Sequence, residues 1–393
     1  MELLAGVRIL DFGRYIAGPF CAALLGDLGA EVIRVERVGG GEDRFVGRIA
    51  EDGSGPMFLQ VNRGKRSLTL DPSSEEGREV VRRLVPTADV VVANLPRRGL
   101  RALGLDIESL RALRADVILS AISTFGNDGP DADRVGFDGI AQVMSGGAYL
   151  TGRPGDPTKF YSPWVDFLTA TNAAYGTLAA LWHRERTGEG QVVEGALLRS
   201  ALGVTNFLLS EQEQLDVNRV PEGSRTQTGA PADVFPTTDG AVIVQVIGDP
   251  LFARLARLLG HEEWIGDPRY AGDDARAEHR DELGAAMAEW CRRRTTDEAI
   301  DQLGEARVPA GPVRSPQEAL DDPHARAVGW WKRHAYPSLH ADALVMGFPV
   351  GMSETEPAID RRAPTVGEHT DEVLGELGYG AAEIDDLRRA GVI

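Results

Sequence analysis

The sequence predicts an α/β fold with a parallel sheet, and the first part of the chain carries that prediction. A short buried strand, Val7 to Phe12, precedes an apolar helix, Phe20 to Leu28, and a second strand follows at Glu31 to Val35. A strand, a helix and a strand in this order form a βαβ unit, which builds a parallel sheet. Such sheets bind ligands in a crevice beyond the carboxyl ends of their strands.

Further strands are predicted at Ser67 to Leu70, Asp89 to Ala93 and Val117 to Ser120. Basic residues cluster beside three strands: Arg34 and Arg37, then Arg63, Lys65 and Arg66, then Arg97, Arg98 and Arg101. Basic groups at strand ends indicate a phosphate-bearing ligand. The alternative is that these are solvated arginines paired with acidic residues. Neither G-x-G-x-x-G nor a P-loop occurs, which argues against a nucleotide-dependent oxidoreductase.

Composition narrows the classes of function. The 393 residues carry a formal net charge of −18, which argues against nucleic acid and anionic membranes as partners. Cys21 and Cys291 are too few for a disulfide framework or a thiolate metal site. None of the seven histidines pairs at metal-ligand spacing, so we expect no metal. With no apolar run of membrane length and no signal peptide, we expect a cytoplasmic protein.

The composition changes after Ser200, where we expect a linker at 201–221 and a smaller α+β domain at 222–330. Within that domain we predict a strand at Ala241 to Ile247 and a helix at Phe252 to Leu259. Thr295 and Glu298 have the spacing of a capping box, which predicts a helix start.

Asp166 is the only charged residue between Phe160 and Trp182. It comes just before a long apolar helix, predicted at Thr169 to Arg184, and a second helix is predicted from Val192. The free N–H groups of the first helix could hold the carboxylate ionised, as a nucleophile or a base. The alternative is a plain helix cap. Asp138 could be catalytic, but an aspartate directly before a glycine is more typical of a turn acid.

Several motifs, in order from residue 5 to 393, together resemble the family III CoA-transferases, also called the CaiB/BaiF family. They are Leu10-Asp11-Phe12, Ala17-Gly18-Pro19, Leu28 to Arg37, Asn62 to Ser67, Asn94 with Gly99, Ser123 to Gln142, His183-Arg184, Thr187 to Gln191, Pro309 to Val313, and Gly367 to Thr370. The resemblance implies a bacterial homodimer of two interlocked chains. It implies a Rossmann-like large domain from residues 1–200 and 331–393, beside the small domain.

The resemblance also implies the reaction, in which CoA moves from an acyl-CoA donor to a carboxylic acid acceptor. The family's nucleophilic aspartate falls on Asp166, which would form a mixed anhydride and then an aspartyl-CoA thioester. We expect Trp164, Phe167 and Tyr161 to keep water away from it. Backbone amides near Gly146 or Gly248 could stabilise the oxyanions.

For CoA itself, the resemblance points to Arg37 and Asn94, with Leu70 near the adenine. Arg101 is a further candidate, shifted by one position from the family's arginine, and Arg98 is its alternative.

The chain departs from the formyl-CoA/oxalate branch at Ile16 and Gly47, where that branch has glutamine and tryptophan, and this argues against oxalate. The resemblance implies that Ile16 contacts the substrate, and Arg14 and Tyr15 in the same loop could bind a second carboxylate, as in a dicarboxylic acid. The alternative is that Arg14 pairs with a surface acid.

Two other functions remain as alternatives. An α-methylacyl-CoA racemase would share the fold, but racemases carry a histidine where this chain has Phe137, and a glutamate where it has Asp249. A CoA-binding protein without turnover is the second alternative. The sequence leaves donor and acceptor open among dicarboxylic, carnitine-like and aromatic acids.

Overall fold

The computed structural model describes residues 2–337, 339–357, 359 and 361–393. Its main feature is a six-stranded sheet in which all neighbouring strands are parallel. The strands are β1 (Arg8–Asp11), β2 (Glu31–Glu36), β3 (Arg66–Thr69), β4 (Val90–Ala93), β5 (Ile118–Ser123) and β6 (Val192–Ala196). Their order, β3-β2-β1-β4-β5-β6, is that of the doubly wound Rossmann fold. The predicted parallel α/β fold is confirmed.

Helices connect these strands and cover both faces of the sheet. They are α1 (Ala17–Asp27), α2 (Pro56–Val61), α3 (Glu75–Leu84), α4 (Arg97–Ala102), α5 (Ile107–Leu113), α6 (Asp138–Met144), α7 (Gly147–Thr151), α8 (Trp164–Thr187) and α9 (Leu197–Leu215). Because side chains alternate along a strand, Ile9 packs in one hydrophobic cluster with α1 and α8. Its neighbour Leu10 packs in another cluster with α3 and α5. Burial on both faces explains why the strands read as continuous apolar runs.

The middle of the chain forms a second, smaller sheet with its own helices. Strands β7 (Ala232–Pro236), β8 (Ala241–Gln245) and β9 (Ala310–Pro312) pair antiparallel. The helices are α10 (Asp249–Leu259), α11 (Asp273–Glu278), α12 (Arg280–Arg292), α13 (Thr296–Glu305), α14 (Pro316–Leu320) and α15 (Pro323–Val328). The predicted capping box is confirmed, because Thr295 and Glu298 exchange both hydrogen bonds at the start of α13.

The end of the chain returns to the large sheet. A hairpin of β10 (Trp331–His334) and β11 (Ala343–Met346) precedes α16 (Thr370–Glu376) and α17 (Ala381–Arg389). Val373 of α16 and Leu387 of α17 join the hydrophobic cluster that contains Leu10.

The chain divides into two compact units, 1–147 with 159–217 and 328–393, and 148–158 with 218–327. Two predictions about residues 192–221 are wrong. The residues from Val192 form β6, and the helix starts only at Leu197, because Val192 and Val193 complete the sheet beside β5. The linker predicted at 201–221 is helical as far as Leu215, because the run from Leu197 is rich in helix-forming residues.

Candidate active site

A cavity of about 510 Å³ opens at the carboxyl ends of β1 to β4. Its lining comes from the end of β2, from the segments that follow β1 to β4, and from one residue near the end of the chain: Phe12, Gly13, Arg14, Arg34 to Val38, Gly41, Asp43, Leu70 to Ser73, Leu95, Leu103 and Gly391. The strand order reverses between β1 and β4, and this is the point where doubly wound sheets bind ligands. We call this cavity the crevice pocket.

Two of the predicted CoA-binding residues meet in the crevice pocket. Arg37 follows β2, and its side chain is 64% exposed. Leu70 follows β3 and is buried in the pocket wall. An exposed cation beside an apolar wall fits a ligand with both a phosphate and a flat ring.

Asn94 follows β4 and holds the loop after β1. Its Oδ1 accepts the Arg14 N–H at 2.7 Å, and its Nδ2 donates to the Arg14 carbonyl at 2.7 Å. Asp11 accepts the Gly13 N–H at 2.8 Å, which fixes the start of the same loop. Asn94 therefore positions Arg14 at the rim of the crevice pocket.

The Arg14 side chain pairs with an acid, which was the second of the two predicted alternatives. Glu42 accepts from the Arg14 guanidinium through one oxygen and from Arg37 through the other, the latter at 2.9 Å. Arg14 also lies 3.5 Å from Asp43. Arg14 and Arg37 thus form one basic group on the crevice pocket.

The other basic residues near β2 and β3 are structural, which corrects part of the phosphate-site prediction. Arg63 pairs with Asp27, Lys65 donates to Asp11 at 2.7 Å, and Arg66 pairs with Glu31 and Glu376. All three basic side chains are buried. Burial lowers the pKa of Lys65 to about 8, although Asp11 opposes the shift.

Arg34 is also a structural residue. It is buried and donates to Asp43 at 2.5 Å and to the Gly13 carbonyl at 3.1 Å. It therefore supports the pocket wall and the loop after β1 from below.

Arg101 and Arg98 both lie exposed on α4. Arg101 lines a separate cavity of about 170 Å³, together with Arg97 and Asp106. Leu95 and Leu103, on either side of α4, line the crevice pocket instead.

Asp166 lies in the first turn of α8 and is half-buried. The N–H groups that were expected to hold its carboxylate are bound to another residue. Oδ2 of Asp138 accepts from Val165 N at 2.7 Å and from Asp166 N at 3.0 Å. Asp166 is therefore not the cap of α8, because Asp138 accepts from the N–H groups that the Asp166 carboxylate was expected to bind.

Asp138 was interpreted from the sequence as a turn acid, and the structure shows instead that it caps α8. It is buried at the start of α6, and Gln142 donates to its Oδ1. Gln142 also accepts from Phe160 N at 2.9 Å and donates to the Ser162 carbonyl at 3.2 Å. The spacing of Asp138 and Gln142, four residues apart on one helix, was the available signal.

The environment makes Asp166 a weak acid. Burial, and secondly the charge of Asp138, raise the pKa of Asp166 to about 7. Both effects disfavour the ionised form. A carboxyl group with a pKa near neutrality is typical of a catalytic residue.

The surroundings of Asp166 are partly apolar. Phe167 packs edge-on against Phe20 with ring centroids 4.8 Å apart, and Trp164 is also partly buried in the same cluster. Tyr161 is 94% exposed in the chain, so the prediction that it shields Asp166 is not met within one chain. Ile16, predicted to contact substrate, is buried in the hydrophobic core.

Tyr15 follows the pocket residue Arg14 and contacts Phe137, the residue before Asp138. Its backbone has a φ of 59°, which is strained for an aromatic residue. Its ring packs edge-on against the ring of Phe137, with the centroids 5.4 Å apart, and Phe137 directly precedes Asp138. The loop after β1 therefore carries Arg14 on one side and contacts the Asp138 segment on the other.

The two predicted oxyanion loops differ in their surroundings. Gly146 has a φ of 85°, with open space where a side chain would lie. Gly248 lies in the smaller unit, and its N–H donates to both oxygens of Asp273, at 3.0 and 3.1 Å. That N–H is bound, which leaves Gly146 as the stronger candidate.

Within the described ranges, no three His, Cys, Asp or Glu side chains are grouped as a metal site would require. The helices described there also include none with the length and hydropathy of a membrane span.

The fold and the site define a doubly wound α/β protein with a crevice lined by Arg14 and Arg37, and with an acidic side chain of raised pKa. The family model of CoA-transferase family III matches residues 4–370, and the chain belongs to that family. It is therefore an enzyme of the CoA-transferase class.

The relatives cover nearly the whole chain. It is 36% identical over 391 residues to the succinyl-CoA–D-citramalate CoA-transferase of Chloroflexus aurantiacus, covering 98% of this chain and 96% of that protein. It is 36% identical to the succinate–glutarate CoA-transferase of Agrobacterium fabrum, covering 95% of each. The crystal structure of a CaiB/BaiF family protein from Brucella suis is similar, with a TM-score of 0.84 and 34% sequence identity. The match covers 95% of this chain and 99% of that protein.

Proposed function

We propose that this protein moves CoA from succinyl-CoA to a second dicarboxylic acid, with Asp166 as the nucleophile. The observation that carries the covalent route is the half-buried Asp166 carboxyl group, whose pKa is about 7 and whose helix N–H groups are bound to Asp138. The substrate class rests on the names of the two relatives, which are similar over their full length and act on succinate, citramalate or glutarate.

In the first half of the reaction, an Asp166 oxygen attacks the carbonyl carbon of the donor thioester. The C–S bond breaks, CoA leaves as the thiolate, and a mixed anhydride joins Asp166 to the donor acid. The thiolate then attacks the Asp166 carbonyl carbon. The donor acid leaves as its carboxylate, and an aspartyl-CoA thioester remains.

The second half reverses these steps with the acceptor. The acceptor carboxylate attacks the carbonyl carbon of the aspartyl thioester. The C–S bond breaks, CoA leaves as the thiolate, and a new mixed anhydride joins Asp166 to the acceptor. Attack of the thiolate on the acceptor's carbonyl carbon then frees Asp166 and produces the new acyl-CoA. No proton is gained or lost over the cycle, so the site needs a nucleophile and oxyanion donors but no general acid.

The raised pKa of Asp166 suits the first step. An ordinary carboxylate is much less basic than a thiolate, whose parent thiol has a pKa of about 8.5 in cysteine. Anhydride formation from a thioester is therefore uphill. A desolvated carboxylate with a pKa near 7 narrows the difference in basicity between nucleophile and leaving group.

The crevice pocket is our proposed site for the nucleotide part of CoA. Arg37 and Arg14 would meet phosphate groups, and Leu70 would pack on the adenine. Asn94 would act through Arg14, whose backbone it holds. Arg101, or alternatively Arg98, would meet a phosphate at the outer edge, and Gly146 would supply an oxyanion donor near Asp166.

We also propose that the protein is a homodimer, with interlocked chains as in its family. Large apolar side chains stand exposed on two packed helices, including Tyr175 and Trp182 on α8 and Phe207 on α9. Exposed apolar side chains in such numbers mark an interface. Light scattering should give twice the chain mass of 42.3 kDa; a mass of one chain at micromolar concentration would contradict this proposal.

The function is tested by a transfer assay. The purified protein is incubated with succinyl-CoA and, separately, with citramalate, glutarate, malate, oxalate, carnitine and benzoate. Mass spectrometry then reports each new acyl-CoA. We expect products from the dicarboxylates of four or five carbons and none from oxalate or benzoate. Product from benzoate alone would contradict the substrate class, and no product with any acid would contradict the function.

The pH dependence of the first half-reaction should report the ionisation of Asp166. Because only the carboxylate attacks, kcat/KM for the donor should rise with pH and level off above about 7. In Asp138→Asn the repulsion from Asp138 is removed, so the pKa of Asp166 falls and the acid limb moves to lower pH. The variant should then be faster than the wild type at pH 6.

General damage would give a different result in that experiment. A disturbed α8 would lower the plateau of kcat/KM and leave the acid limb in place. An acid limb that stays at the wild-type pH in Asp138→Asn would show that Asp138 does not set the pKa of Asp166.

A further inference from the structure

Glu42 lies between the two arginines of the crevice pocket. One carboxylate oxygen accepts from Arg14 and the other from Arg37, so a single anion bridges both guanidinium groups. Arg14 and Arg37 both line the crevice pocket, whereas the Glu42 side chain is 62% exposed at its rim. The arrangement is the one that a bound phosphate oxygen pair would adopt.

The backbone beside Glu42 is held by buried ion pairs, whereas the Glu42 side chain is exposed where it binds the two arginines. Asp43 is buried and accepts from Arg34 at 2.5 Å, and Arg44 is buried on Glu36. On the other side, Gly39 and Gly40 adopt φ values of 79° and 90° and turn the chain back from β2. Glu42 can therefore swing away by side-chain rotation alone, without movement of the loop.

From these contacts we infer that Glu42 is an internal stand-in for a CoA phosphate, which the nucleotide must displace to bind Arg14 and Arg37. This inference rests on the proposed function, because it takes CoA as the ligand of the crevice pocket. Glu42 thereby lowers the affinity for CoA and keeps both arginines in position when the pocket is empty.

The energetics favour exchange in the presence of the nucleotide. Exposed carboxylate–arginine pairs are weak because water screens them and long side chains lose freedom. A phosphate carries more charge and more acceptor oxygens than a carboxylate, so it can replace Glu42 on both arginines. Because the lost pairs are weak, removal of the Glu42 charge should tighten CoA binding by about 3- to 10-fold.

Calorimetry on the full-length protein tests this inference with CoA as the probe. We expect Glu42→Gln to bind CoA about 3- to 10-fold more tightly than the wild type. Glu42→Asp keeps the charge but is one methylene shorter, so it bridges the two arginines less well and should give an intermediate affinity. Pantetheine, which lacks all phosphates, should bind both variants as it binds the wild type.

Glu79 provides the matched control. It is an exposed glutamate that also pairs with two arginines, Arg82 and Arg83, but it lies on α3 outside the crevice pocket. Glu79→Gln should leave the dissociation constant of CoA unchanged. A gain in this control equal to that of Glu42→Gln would mean that net charge alone is responsible, and would overturn the inference.

The phosphate is identified with 3′-dephospho-CoA. A gain for CoA but not for dephospho-CoA assigns Glu42 to the 3′-phosphate, and a gain for both assigns it to the pyrophosphate. Unchanged or weaker CoA binding in Glu42→Gln overturns the inference, as does a wild-type affinity in Glu42→Asp. If the wild type itself binds no CoA, the proposed function is wrong. If the wild type binds CoA and only the effect of Glu42→Gln is absent, the inference about Glu42 is wrong and the proposed function stands.

Discussion

Asp166→Asn should lower the rate of CoA transfer by about 10⁴-fold or more, while the affinity for CoA changes by less than about 3-fold. The amide is nearly the same size as the carboxylate but cannot attack a thioester. The crevice pocket, where the nucleotide of CoA is proposed to bind, does not include Asp166 in its lining. Steady-state rates and calorimetry on the same preparation measure the two effects.

Asp297→Asn is the matched control for this prediction. Asp297 also lies in the first turn of a helix, α13, but it is exposed in the smaller unit. This variant should keep wild-type rates. Hydroxylamine should trap the activated Asp166 as a hydroxamate when an acyl-CoA is present, and the adduct should be absent from Asp166→Asn. A variant that retains more than a hundredth of wild-type activity would contradict a covalent role for Asp166.

The sheet could be predicted from the sequence because its signal is local. The first strand was predicted at Val7 to Phe12, and β1 spans Arg8–Asp11. Strands buried on both faces are short apolar runs between turns, so hydrophobic pattern alone locates them. At Val192 the same reasoning failed, because a strand at the end of the sheet has a mixed pattern that depends on its pairing with β5.

The start of α8 could not be predicted, because its cap comes from another helix. The helix was expected from Thr169 and begins at Trp164. Asp138 accepts from the first N–H groups across 27 and 28 positions of sequence. Local capping signals do not include a partner so distant in sequence. For the same reason, the contact between Asp138 and the start of α8 could not be predicted as part of the site.

The basic residues show a similar limit. Arg37 and Lys65 look alike in sequence, since each stands beside a predicted strand. In the fold, Arg37 is exposed at the crevice, whereas Lys65 is buried on Asp11. Which cation remains free for a ligand depends on acids that are distant in sequence, and composition cannot identify them.

Arg44→Met should destabilise the protein by about 3–5 kcal/mol, the largest stability effect that we expect from one substitution. Arg44 is fully buried and binds Glu36 through two hydrogen bonds, at 2.5 and 3.2 Å. It also donates to the Pro364 carbonyl at 3.0 Å and lies over the ring of Phe58 at 3.8 Å. Methionine keeps much of the packing volume but removes the Arg44 hydrogen bonds to Glu36 and to the Pro364 carbonyl.

Most of that cost comes from the Glu36 charge, which loses its two hydrogen bonds to Arg44 and keeps the Ser67 hydroxyl at 2.7 Å and Arg34 at 3.7 Å. Removing one partner of a buried ion pair strands the other in a medium that solvates it poorly, whereas the intact pair adds little net stability. Arg293 is the contrasting case, because it pairs with Glu289 while 71% exposed. Arg293→Met should change stability by less than about 0.5 kcal/mol.

The double variant separates the two parts of the cost. In Arg44→Met with Glu36→Gln, no charge remains unpaired at this position, so part of the lost stability should return. Urea denaturation, followed by fluorescence, measures the wild type, Arg44→Met, Glu36→Gln, the double variant and Arg293→Met. If Arg44→Met were no less stable than Arg293→Met, the buried ion pair would not contribute to the stability of the large unit. If the double variant were as unstable as the sum of the single variants, the cost would come from lost packing and not from the stranded carboxylate.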